Sequence, residues 1–164
     1  MNTLIVYASK YGCTEKCVGS MAYKLNGMVE TCNLKVERDT DLSEFDQVII
    51  GGSIYMGRIQ KEVREFCAEH VQELKTKRLG LFICCMREGV EAEEELRQAF
   101  PDELLDVAIV KDYFGGEFKF DQMKAVDRFI AKHVAKVDHD QSTVSLVKIQ
   151  RFVKKMNNIE VVHQ

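Results

Sequence analysis

Three short runs in this chain are apolar without alternation: Leu4-Ile5-Val6-Tyr7-Ala8, Val48-Ile49-Ile50 and Leu79 to Met86. A strand with one wet face alternates apolar and polar residues. A strand that does not alternate is covered on both faces, as in a parallel sheet lying between helices. Between the runs, apolar residues recur at helical spacing. Cys17, Val18, Met21, Ala22 and Leu25 follow the first run, and Asn26-Gly27 ends that helix. Ile59, Val63, Phe66, Cys67, His70, Val71 and Leu74 follow the second, with His70 read as a core-edge histidine. Ala92, Leu96, Ala99 and Phe100 follow the third, and Pro101 stops that helix. Leu105 to Phe114 contains a fourth buried strand. Met28 to Val36 mixes Glu30, Asn33 and Lys35 with Val29, Cys32, Leu34 and Val36, which places it at a sheet edge. Val144 to Met156 reads as the last helix. Strand and helix in strict alternation imply an α/β three-layer sandwich with right-handed crossovers. Five parallel strands with the first one central give the order 2-1-3-4-5.

A length of 164 residues favours one domain, taken as 1–156 with a tail at 157–164. No apolar run approaches the length of a membrane span. The N-terminus opens directly into a strand, without the zones of a signal peptide, so a cytoplasmic protein is expected. The six cysteines lack a Cys-x-x-Cys pair, which argues against a metal site or thioredoxin-like chemistry. Cys32, Cys67, Cys84 and Cys85 lie in apolar surroundings and read as buried thiols. Cys13 and Cys17 share one helix face. The net charge of −3 is unevenly spread. Residues 88–106 hold eight acids against one arginine, and residues 119–155 hold nine Lys/Arg against four acids. Such runs are commonly solvated helix faces, but the basic end also suits an anionic substrate or a membrane surface. No nucleic-acid partner is expected.

The turn after the first strand is Ser9-Lys10-Tyr11-Gly12-Cys13-Thr14, and a helical pattern follows from about Glu15. A helix N-terminus offers free N–H groups and the positive end of the dipole to an anion. Ser9 and Thr14 add hydroxyls, and Gly12 lets the backbone approach closely. Ordinary helix caps use the same residue types, so the turn gains weight only from its surroundings. In an order 2-1-3-4-5 sheet, ligands sit beyond the strand C-termini at the switch point between strands 1 and 3. The loops Ser9–Thr14 and Ser53–Arg58 flank that point, with Cys85–Gly89 and Gly115–Phe118 beside them. Other nucleotide folds are excluded. There is no Gly-x-x-x-x-Gly-Lys-Ser/Thr and no Gly-x-Gly-x-x-Gly after the first strand. A phospho-accepting receiver needs acids where this chain has Tyr7-Ala8-Ser9.

The turn resembles the flavodoxin signature Thr/Ser-x-Thr-Gly-x-Thr, with Tyr11 in place of the central hydroxyl residue. Gly51-Gly52-Ser53-Ile54-Tyr55-Met56-Gly57 is similar to the Gly-x-Ser-Ile-x-x-Gly segment of the menaquinone-dependent protoporphyrinogen IX dehydrogenases, a flavodoxin-like family. The resemblance covers roughly residues 2–155. It implies a flavodoxin-like fold that binds FMN. Ser9, Lys10, Tyr11, Gly12, Cys13 and Thr14 would hold the phosphate. Ser53, Ile54, Tyr55, Met56 and Gly57 would pass along the isoalloxazine, with Tyr55 or Met56 against the ring. Backbone groups of Cys85, Met86 and Arg87 would meet the pyrimidine edge, and Gly115, Gly116 and Glu117 would close the other side. No catalytic side chains are sought, because flavin chemistry belongs to the cofactor.

Three functions follow as expectations. The first is an FMN oxidoreductase of haem biosynthesis that takes hydrogen from a reduced tetrapyrrole and passes electrons to a quinone. Arg58, Arg87 and Lys119 would attract the tetrapyrrole's propionates. The basic amphipathic stretch 118–136 would rest at a membrane surface, with Phe120, Met123, Val126, Phe129, Ile130 and Val134 as its apolar positions. The second is a flavodoxin-type soluble electron carrier with a protein redox partner. The third is a binding module that has kept the fold and lost the flavin.

Overall fold

The computed structural model describes residues 1–118, 123–133 and 140–158. In chain order the elements are β1 (Asn2–Tyr7), α1 (Cys13–Lys24), β2 (Met28–Asn33), β3 (Gln47–Tyr55), β4 (Arg58–Ile59), α2 (Lys61–Leu74), β5 (Arg78–Cys84), α3 (Gly89–Ala99), α4 (Asp102–Val107), β6 (Val110–Tyr113), β7 (Glu117–Phe118), α5 (Ala125–His133), β8 (Gln141–Ser142) and α6 (Leu146–Asn157). Five strands pair in parallel in the order β2-β1-β3-β5-β6. This is the expected 2-1-3-4-5 order, renumbered because β4 intervenes. The tail from 159 onward lies outside the described residues, as do Lys119, Phe120, Val134 and Lys136 of the basic stretch.

The pleat sorts the unalternating runs onto two faces. Leu4, Val6 and Ala8 of the first run point to the same side as Val48, Ile50, Leu79, Leu81 and Ile83, and they pack with Val63, Phe66, Cys67 and Leu74 of α2 and Ala92 and Leu96 of α3. Ile5 and Tyr7 point the other way with Ile49, Phe82 and Cys84, against Cys17, Val18 and Met21 of α1 and Ile149, Phe152, Val153 and Met156 of α6. Phe82, Phe114 and Phe152 form an aromatic cluster on this second face, with centroids 5.1–6.1 Å apart. Gly51 pairs with Phe82 in register, and a Cβ on Gly51 would sit 2.1 Å from the Phe82 ring. The ring therefore lies over β3 only because that position has no side chain.

The strand starts are stitched by polar side chains. Gln47 Nε2 donates to Thr3 Oγ1 at 3.1 Å, and Arg78 Nε donates to Gln47 Oε1 at 3.2 Å. Asn157 holds the end of α6 to the end of α1, accepting from Asn26 N–H at 2.9 Å and donating to Lys24 O at 3.2 Å.

Several local features depart from the sequence expectations. β2 ends at Asn33 rather than Val36, because the Asn33 carbonyl accepts from the N–H groups of Val36 and Glu37 and closes a turn. β3 runs on to Tyr55, where Ile54 and Tyr55 pair antiparallel with Ile59 and Arg58 of β4. Pro101 ends α3 and also starts the short α4, and the strand that follows, β6, lies at the sheet edge with only Val110 buried, so the expected fourth buried strand is an edge strand. Gln141 and Ser142 pair with Phe118 and Glu117 in a separate two-stranded ribbon.

Gly51→Ala is expected to destabilise the fold by about 1–3 kcal/mol through overpacking against Phe82. Gly19→Ala, in the interior of α1 with open space at its Cβ, is expected to stabilise by about 0.5–1 kcal/mol. Urea midpoints of the two variants against the parent measure both effects, and equal midpoints would contradict the packing described.

Candidate functional site

The strands end at one rim, and four loops meet there. The first is the β1–α1 turn. Gly12 adopts φ 90°, a left-handed conformation natural to glycine, and its N–H donates to Ser9 Oγ at 3.0 Å. The first intrahelical bond runs from Lys16 N–H to Gly12 O at 3.0 Å, so the N–H groups of Cys13, Thr14 and Glu15 precede the helical ladder. A Cβ on Gly12 would meet nothing within 4 Å, so the space beside this turn is open. Tyr7 OH donates to Glu15 Oε1 at 3.0 Å and steadies the first helical turn.

The second loop is the tip of the β3–β4 hairpin. Met56 (φ 52°) and Gly57 (φ 78°) are consecutive left-handed residues, the pattern of a type I′ turn. A non-glycine residue there costs about 1 kcal/mol. The tip presents Tyr55 and Met56, 37% and 61% exposed. Ser53 Oγ lies 2.5 Å from Thr14 Oγ1, and Thr14 is fully buried. The Thr14 hydroxyl thus ties the first loop to the second. Ile54 packs on the core beneath the hairpin. An open groove beside the hairpin is lined by Lys10, Ser53, Tyr55, Met56 and Arg58.

The third loop, at Cys85–Glu88, rests on the fourth, at Gly115–Glu117. Cys85 N–H donates to Gly115 O at 3.0 Å, and a Cβ on Gly116 would lie 2.7 Å from Met86 Sδ. Burial pushes the Cys85 thiol up to about 12. Arg87 pairs with Glu91 at 3.1 Å and Glu95 at 3.3 Å, so its charge is already matched by α3. Burial raises the Glu95 carboxyl pKa above its usual range. Gly116 exchanges hydrogen bonds with Thr143, and Glu117 pairs with Lys16 at 3.2 Å.

Helix α5 reaches this rim through one carboxylate. Asp127 is 4% exposed; its Oδ2 lies 3.0 Å from Lys10 Nζ, and its Oδ1 accepts from Tyr55 OH. The same ammonium sits 3.8 Å from the Tyr55 ring centroid. Lys124 N–H donates to Tyr11 OH at 3.5 Å. Of the apolar positions expected at a membrane surface, Met123 instead turns into the protein. Met123, Asp127 and Ala131 are buried, while Val126 and Phe129 face solvent. The sequence signal for Asp127 is slight: it is the sole acid in a helix otherwise carrying Arg128 and Lys132.

Cys13 and Cys17 of α1 and Cys84 at the end of β5 bring their sulfurs within 4.8 Å of one another. Hydrogen bonds from the Cys17 and Cys84 thiols hold the Cys13 thiol well below its usual range. Sequence spacing pairs Cys13 with Cys17, but it gives no sign of Cys84.

Residues 4–145 match the flavodoxin domain family. The chain belongs to that family. No curated protein matches it. Among solved structures, the two-electron reduced flavodoxin of Megasphaera elsdenii is 20% identical with a TM-score of 0.56, over 73% of this chain and 89% of that one. Oxidised flavodoxin 1 of Bacillus cereus is 13% identical with a TM-score of 0.54, over 84% and 99%. A mutant Fusobacterium nucleatum flavodoxin bound to flavin mononucleotide is 17% identical with a TM-score of 0.45, over 68% of this chain and 66% of that one. In this flavodoxin-domain chain, the rim of four loops lies at the C-terminal ends of β1, β3, β5 and β6, where a doubly wound sheet takes its ligand.

Two outcomes test this site. Asp127→Ala is expected to speed amide exchange across Ala125–His133 about tenfold, or about 1.4 kcal/mol, leaving the central strands unchanged. Unchanged exchange would mean that the carboxylate does not anchor α5. Because its pKa is lowered, Cys13 keeps its thiolate as pH falls. Its alkylation rate, followed by mass spectrometry, is therefore expected to stay on its plateau below pH 7, where an ordinary thiol of pKa about 8.5 has already lost most of its rate.

Proposed function

We propose that the chain binds FMN at this rim and acts as a flavin-dependent oxidoreductase on a reduced tetrapyrrole, with a quinone or similar redox partner as acceptor. The observation that carries the flavin is the β1–α1 turn: Gly12 at φ 90° with open space beside its Cα, Ser9 and Ser53 nearby, and the first N–H groups of α1 ahead of the helical ladder. That arrangement suits a phosphate. The phosphate contacts fall to the N–H groups of Cys13, Thr14 and Glu15 and to the Ser9 hydroxyl, since the Thr14 hydroxyl is buried against Ser53. Tyr55 and Met56 would flank the ring along the hairpin groove. Cys85 N–H is given to Gly115, so the pyrimidine edge falls to the N–H groups of Met86 and Arg87. Gly115, Gly116 and Glu117 would bound the opposite side. FMN, when bound, supplies the hydride and electron chemistry.

On the substrate side, Arg58 on β4 is an exposed cation lining the groove, as are Lys35 and Lys61. Arg87 is matched by Glu91 and Glu95, and Lys119 lies outside the described residues. Exposed Val126 and Phe129, with Lys124, Arg128 and Lys132 around them, support peripheral contact with a membrane that holds a quinone. Among the described residues, no helix is long and apolar enough to cross a membrane. A flavodoxin-type carrier is the second reading. It is favoured by the exposed acids Glu88, Glu91, Glu93 and Glu94, which begin at the third loop and suit a basic redox partner.

The test is FMN titration of the purified chain followed by anaerobic turnover of protoporphyrinogen with a menaquinone analogue. One FMN per chain, porphyrin formed above the spontaneous rate, and a roughly tenfold loss of FMN affinity in Tyr55→Ala are expected. Flavin binding without porphyrin formation would leave the carrier. A colourless protein indifferent to FMN would remove both.

A further inference from the structure

We propose that Cys13, Cys17 and Cys84 form a binding site for one thiophilic d10 cation, of the Cu+, Zn2+ and Cd2+ class, held by three sulfurs. The site does not depend on the flavin reading, because nothing in it requires FMN.

Cys13 and Cys17 stand four residues apart on α1, so their side chains share one helix face. Cys84 is the last residue of β5 and points to the α1 side of the sheet. The three sulfurs lie within 4.8 Å of one another, and the Cys17 and Cys84 sulfurs are 3.8 Å apart. A metal–sulfur bond of about 2.3 Å in tetrahedral or trigonal geometry sets sulfurs about 4 Å apart. One pair already has that separation, and the third sulfur needs to close by about 1 Å or less. The other three cysteines pack on the opposite face of the sheet, so the grouping is particular to this place.

The surroundings suit such an ion. Cys17 and Cys84 are buried, which favours soft sulfur ligation over a hydrated hard cation. Cys13 is the partly exposed member and provides access from solvent. The α1 N-terminus contributes positive potential to thiolates carried in its first turn. Binding would displace the thiol protons to solvent, with no change in oxidation state.

The experiment uses the full chain, reduced and metal-free, titrated anaerobically with Cd2+ alone. A thiolate-to-cadmium charge-transfer band saturating at one equivalent is expected. Cys13→Ser keeps a small polar residue at the start of the helix and is chosen to preserve the fold. It is expected to weaken Cd2+ binding at least tenfold, while Cys67→Ser binds as the parent does. Circular dichroism and the thermal midpoint establish that each variant is folded. No saturable band at one equivalent would overturn the proposal, as would Cys13→Ser retaining the parent's affinity or Cys67→Ser losing as much as Cys13→Ser. Since the readout is sulfur-to-metal absorption without flavin, its failure is separate from failure to bind FMN.

Discussion

The parallel pairing of β1 with β3 underlies both the fold and the site. Thr3–Tyr7 of β1 are buried, so their backbone groups need partners, and β1 takes one neighbour on either side: β2 along Asn2–Tyr7 and β3 along Gln47–Gly51. Because the strands run the same way, both chains leave the sheet at the same rim. The turn after Tyr7 and the continuation of β3 then lie side by side. The short Thr14–Ser53 contact follows from this register, between residues 39 apart in sequence.

The register also explains where polar groups are held. Asp127 lies in a helix far along the chain, and burying its carboxylate is costly without partners. Lys10 from the first loop and Tyr55 from the hairpin supply those partners, and the lysine in turn covers the tyrosine ring. This polar cluster orients α5 with Val126 and Phe129 outward. The left-handed Met56 next to this cluster carries modest backbone strain, and it keeps Tyr55 and Met56 projecting at the hairpin tip.

Much of the fold was legible in the residues. Leu4 to Ala8 and Leu79 to Met86 show no alternation, and each proves to serve two cores, one on either side of the sheet. The edge position of β2 was legible in Glu30, Asn33 and Lys35. The β3–β4 hairpin was not, because Met56-Gly57 lacks the Asn-Gly or Asp-Gly signature of a type I′ turn. The β7–β8 ribbon was hidden because two-residue strands carry no periodicity. The four loops were legible as neighbours, through topology. Their internal commitments were not: Arg87 to Glu91 and Glu95, Thr14 to Ser53, and Cys85 N–H to Gly115 all depend on side-chain and backbone directions at the rim.

Taken alone, the sequence determined the layers, the strand order and the rim at which a ligand would sit. These depend on local hydrophobic period and on the handedness of crossovers, which a one-dimensional pattern carries. Tertiary structure decided which distant groups meet. It brought Cys84 to Cys13 and Cys17, and Asp127 to Lys10 and Tyr55. Contacts of that kind join residues dozens of positions apart, and they are set by side-chain packing at an angle and depth that no spacing along the chain records.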